Sequence, residues 1–138
     1  MATAIFGATT GGYSAVVSTL GRRDVRWRKA AKLSAEIREP LGHLRNAVAS
    51  AQRGSRPLQS LRSADLRARL DEIEENRVRL SDKRMAATLL DVEHCYSAVL
   101  ALDDESSDHR KGTALSRASE ALDAALDRLA YVERKAPP

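Results

Sequence analysis

The sequence predicts an all-α fold, a bundle of three or four helices behind a separate N-terminal segment. Three observations predict it. No stretch alternates apolar and polar residues at the two-residue period of a strand. From residue 33 onward, apolar residues recur at steps of three and four, which gathers them on one side of a helix. The chain has 138 residues, 43% hydrophobic and 30% charged, which suits one small globular domain and excludes a disordered chain.

Residues 1–21 carry no charged side chain. About twenty helical residues span about 30 Å, the thickness of a bilayer's hydrocarbon core. The uncharged segment precedes the basic one. A secretory signal has the reverse order, so no cleaved signal is expected. As a span, the segment would leave residue 22 onward in the cytoplasm. Gly7, Gly11 and Ala15 repeat at every fourth position, a spacing that lets two helix backbones approach closely in lipid. Only Ile5, Phe6, Val16, Val17 and Leu20 are strongly apolar among the first twenty residues. They contribute roughly −2 to −3 kcal/mol toward insertion, and the Ser, Thr and Gly residues oppose it. Residues 1–21 are thus a candidate membrane anchor, or else a tail or a helix packed on the bundle or on a second copy.

Residues 22–32 follow as a basic stretch. Arg22, Arg23, Arg26, Arg28, Lys29 and Lys32 face Asp24 as the only acid. The whole chain carries +4, so this window accounts for all of the excess charge and the remainder is slightly acidic. Two partners fit such a stretch. Juxtamembrane cations are attracted to anionic lipid. Cations also contact nucleic-acid phosphates without reading sequence. The absence of a helix-turn-helix pattern and of aromatic platforms disfavours nucleic acid.

Residues 33–135 form the expected bundle. Leu33, Ile37, Leu41, Leu44 and Val48 make one apolar row that runs past Pro40. Proline lacks an amide hydrogen and clashes with the preceding turn, so a kink or a break is expected there. Gly54, Ser55, Arg56 and Pro57 end the element. Ser63 is the expected N-cap of the next helix, whose row is Leu66, Leu70 and Ile73. Five residues separate Leu80 from Met85, which interrupts the spacing, and a break at 81–83 with Ser81 or Asp82 as cap is expected. Met85, Leu89, Val92, Tyr96 and Val99 set the third row. A polar loop covers 103–108. Leu115, Ala118, Leu122, Ala125, Leu129 and Val132 then alternate steps of three and four, an a/d seam of almost three heptads. With so few aromatic residues the core is expected to be thin. A partner or self-association would then supply further burial.

Little in the sequence points to catalysis. His43, His94 and His109 are the three histidines. Glu39 and His43 stand one turn apart, as do Asp91 and His94, which fits a charge partner on a helix surface. A di-iron bundle needs two Glu-x-x-His pairs and two further Glu, and this chain has no such set. Cys95 is expected to be a small core residue, since no base and orienting group accompany it. One cysteine excludes an intrachain disulfide and a cysteine-rich zinc site. The acidic loop lacks the glycine and terminal Glu of an EF-hand. No phosphate-binding glycine loop or nucleophile elbow is present. No cofactor or metal is expected.

The uncharged start, the run Arg-Arg-Asp-Val-Arg-Trp-Arg-Lys at 22–29 and the Leu-, Ala- and Arg-rich helical region resemble a known arrangement. It is that of small uncharacterised actinobacterial proteins with one N-terminal span, an Arg-rich flank and a cytoplasmic helical bundle. The resemblance is architectural. It implies a non-enzymatic interaction or scaffold protein at the cytoplasmic membrane face, with a protein partner. Two other expectations stand beside it. One is a soluble, self-associating helical module. The other is a nucleic-acid-associated protein that uses 22–32.

Overall fold

The computed structural model describes residues 11–80 and 82–135, and for 11–27, 30 and 31 it describes the backbone only. Gly7 lies outside the described residues. The fold is an all-helical bundle with no strand among the described residues. Helix α1 covers Gly11–Gln52, α2 Ala64–Arg77, α3 Lys83–Leu100 and α4 Asp108–Lys135, with a 3-10 turn at Leu58–Arg62. Each helix packs on two others, in the closed order α1, α2, α3, α4 and back to α1. Pairs along α1 and α4 fix their antiparallel register: Arg38 with Glu133, and Arg45 with Asp123 at 2.5 Å.

The rows read from the sequence are the core. Leu33, Ile37, Leu41, Leu44 and Val48 are buried on α1, and Met85, Leu89, Val92, Tyr96 and Val99 on α3. All six residues of the α4 seam are buried. On α2, Leu66 and Ile73 are buried, while Leu70 packs half-buried against them. Ala47, Ala118 and Ala125 sit among the larger side chains, where a small residue lets helix backbones close in.

The helix ends follow local chemistry. α1 stops where Gly54 takes a φ of 75°, the left-handed region that glycine enters without steric cost. The Ser55 amide then donates to the Ser50 carbonyl and the Gly54 amide to that of Ala51, a Schellman turn that satisfies the last carbonyls. The Ser63 hydroxyl accepts from the Leu66 amide at 3.2 Å, the Asp82 carboxylate from Arg84 at 3.1 Å and the Ser107 hydroxyl from Arg110 at 3.1 Å. The expected break at 81–83 is therefore real, with Asp82 as its cap.

Two features differ from the expectation. The break considered at Pro40 does not occur: α1 is one helix through that position. Pro40 is itself buried. Its burial beside the Ile37–Leu41 row offsets a missing amide and a crowded turn, which together cost about 3 kcal/mol. The second feature is the 3-10 turn, which has no apolar period and so no sequence signal. One residue of it, Leu61, plugs the end of the core.

α1 also runs through both boundaries drawn at residues 21 and 32. Among the described residues no helix is long and apolar enough to cross a membrane.

Candidate functional site

At 1.5 Å per residue the 42 residues of α1 are about 63 Å long. The buried row occupies only its Leu33–Val48 part. Lys29, Arg26 and Arg22 stand four, seven and eleven residues before Leu33, the register positions that continue its row. The row that is apolar inside the bundle is thus basic beyond it. Arg28, Lys29 and Lys32 are exposed. Gly11 opens α1, and Ala15, Arg22, Arg23 and Arg26 lie along its backbone.

The fold adds cations to this end that the sequence does not place there. Because α4 runs antiparallel to α1, its last residues return to the level of Arg38, which pairs with Glu133. Arg134 and Lys135 follow at once, both exposed. Arg128 reaches Asp82 at 2.9 Å and so holds the start of α3 against the last turns of α4. Lys83 and Arg84, next in sequence, are exposed as well. Asp82 and Glu133, beside these cations in sequence, each have an arginine partner. Arg128 also lies 4.5 Å over the ring of Tyr131, with the Lys135 ammonium at 5.6 Å. The signal for this gathering was available in outline: an up-and-down bundle with short connections brings the end of its last helix beside the start of its first.

The opposite end has another character. There the Tyr96 hydroxyl donates to the Leu61 carbonyl at 2.7 Å in the buried interior, and Arg62 donates to the Leu102 carbonyl. Burial pushes the Tyr96 hydroxyl up to about 12. The Ser106 hydroxyl holds the Asp103 carboxyl below its usual range by hydrogen bonding to it.

Two of the clefts among the described residues contain histidine and other polar side chains. One, of about 610 Å³, lies between α1, the 3-10 turn and the start of α2, and includes His43, Ser50, Arg56 and Asp65. His43 is exposed and lies 3.6 Å from Glu39, the helical neighbour expected for it. The other, of about 550 Å³, lies between α3 and α4, with His94, Cys95, His109, Arg110 and Arg117 around a floor of alanines. Cys95 packs half-buried on the core rather than within it. Desolvation, then the charge of Asp91, push its thiol up, away from the thiolate that a nucleophile needs. Among the described residues no group of three His, Cys, Asp or Glu side chains is disposed to hold a metal ion.

The chain matches no protein-family model, no curated protein and no solved structure. The reading of function therefore rests on the molecule itself.

Proposed function

We propose that this is a non-enzymatic helical interaction protein held at the cytoplasmic face of a membrane by its N-terminal part. One observation carries the reading: a single continuous helix leads from the bundle core, through a basic row, to the uncharged residues at its start. Cations beside an uncharged segment match the order of charges at an anionic membrane surface. The described residues hold no helix apolar enough to span. The reading therefore relies on surface attachment, with residues 1–21 adding apolar contact and the small-residue row at Gly7, Gly11 and Ala15 adding helix pairing. The bundle then offers its outer faces to a protein partner.

Fractionation of the untagged full-length chain tests this. Recovery with membranes, with release by a high-salt wash, is the expected result. Retention through both salt and alkaline washes would indicate an integral anchor instead. Recovery in the soluble fraction before any wash would overturn the reading.

A further inference from the structure

We infer that two copies of this chain associate through the parts of α1 that run beyond the bundle, antiparallel and about a two-fold axis near residue 22. The inference does not rest on the membrane reading. It starts from the row with which α1 meets α4. Ser34, Leu41 and Val48 of that row are buried, and Arg38 and Arg45 pair with Glu133 and Asp123. Its steps are four and three in alternation. The same steps lead on without a slip to Ala31, Trp27, Asp24, Leu20, Val17 and Tyr13. The Arg38–Glu133 pair puts Lys135, where α4 ends, about level with residue 36, so α4 does not reach these six positions. They are apolar apart from Asp24 and include the only Trp of the chain. A helix stretch of this length with Gly11, Gly12 and Gly21 in it gains little from propensity and depends on packing.

The fold selects the occupant and its direction. A parallel second α1 on this row would run on into the place that α4 fills. An antiparallel one carries its own bundle to the far end. Its start at Gly11 can advance only as far as the end of α4, which sets Gly11 opposite Leu33 and centres the overlap on residue 22. In that register large meets small: Trp27 stands opposite Val17 of the second copy, and Tyr13 opposite Ala31. Asp24 stands opposite Leu20 and within one turn of Arg23 of the second copy, so the one acid of 22–32 meets a cation on each side of the axis. A single polar pair in an apolar seam fixes register. Like charges stay apart. Arg28 falls opposite Val16 and Lys32 opposite Gly12, while Arg22, Arg26 and Lys29 lie on the far side of the helix from the row. Of the exposed acids at this end, Glu36 is off the row, and Glu74 and Glu75 belong to α2, which does not pack on α4. Covered aromatic side chains bury about 150–250 Å² each, so Trp27 and Tyr13 of two copies bring roughly 600–1,000 Å². Val17, Leu20 and Ala31 carry the total into the range of a stable interface, about 1,200 Å² and upward.

The test is sedimentation equilibrium of the full chain in lipid-free buffer over about 1–100 μM, with Trp27 emission read on the same samples. The expected result is a rise to twice the mass of the chain, with the emission moving to shorter wavelength in step. Trp27→Ala keeps a strong helix former at that position and is expected to weaken self-association at least about tenfold. The control R22Q/R26Q/K29Q, charges of the far side, is expected to associate like the unaltered chain. D24R is expected to weaken association at least about fivefold, and the exchange R23D/D24R to restore it to within about threefold. Restoration supports the antiparallel register, because a parallel pair sets residue 24 beside its own copy. Failure of the exchange to restore association would overturn the register and the inference with it. A monomer at every concentration would overturn the inference, as would a dimer that Trp27→Ala leaves unchanged. A monomer whose Trp27 emission shifts only on adding vesicles that contain phosphatidylserine would also overturn it, in favour of lipid on the same row. The first measurements use no membrane, so their failure leaves the fractionation test of the membrane reading standing.

Discussion

The two ends of the bundle are closed by different means. At the loop end, side chains bond to backbone carbonyls: Tyr96 to Leu61 within the core and Arg62 to Leu102 at its edge. At the basic end, side chains bond to side chains, Arg38 to Glu133 and Arg128 to Asp82. A hydrogen bond shielded from water is costly to leave unmade. The exposed Arg38 pair is worth about 0–1 kcal/mol and weakens with salt, whereas the Arg128–Asp82 pair is partly shielded from water. The loop end therefore serves stability, and the basic end holds the elements together while leaving cations outside.

This contrast breaks down if stability proves to be shared equally. The largest expected effect is at the loop end. Leu61→Ala removes the plug of the core and is expected to cost about 2–5 kcal/mol, read by urea unfolding. Alkaline titration comes next. Tyr96 holds its proton up to about 12 when folded, above its ordinary value near 10. The folded state is then the tighter proton binder. Its contribution is complete below about pH 10 and lost as pH rises through 12, by about 2–3 kcal/mol. Stability measured between these values should fall, and the slope should be shallower in Tyr96→Phe. That variant also leaves the Leu61 carbonyl without its donor and is expected to cost about 1–3 kcal/mol at neutral pH.

The basic end should respond less. Asp82→Ala removes the cap of α3 and the Arg128 pair together, and a loss of about 1 kcal/mol is expected in the same unfolding assay. Arg134→Gln touches no structural partner and is expected to change stability by less than about 0.5 kcal/mol. A loss several times larger in the last variant would show that this exposed charge serves the fold itself, which would remove the contrast.

Much of the fold was legible because one physical signal repeats. The rows of α1, α3 and α4 are buried at the residues that the spacing picked out, and the slip between Leu80 and Met85 marked a true break. Ser63 and Gly54 were legible for local reasons, a hydroxyl that caps and a residue free to take positive φ. The 3-10 turn was not, because five residues give no period. Pro40 misled in part. Its local penalty is real, but tertiary burial of the same face outweighs it. The site was half legible. The residues of 22–32 stand together in sequence, whereas the Arg38–Glu133 and Arg128–Asp82 pairs form only through antiparallel packing.

The unbroken course of α1 couples angle to distance. An α-helix advances 1.5 Å and turns about 100° per residue. One residue inserted between 21 and 28 would swing everything before it through about 100° relative to the core, and hardly move it outward. Seven inserted residues would carry it about 10 Å outward and leave its azimuth within about 20°. The same helix thus acts as a phase keeper, and the length of chain between the uncharged start and Leu33 sets which side of the bundle faces whatever that start is fixed to.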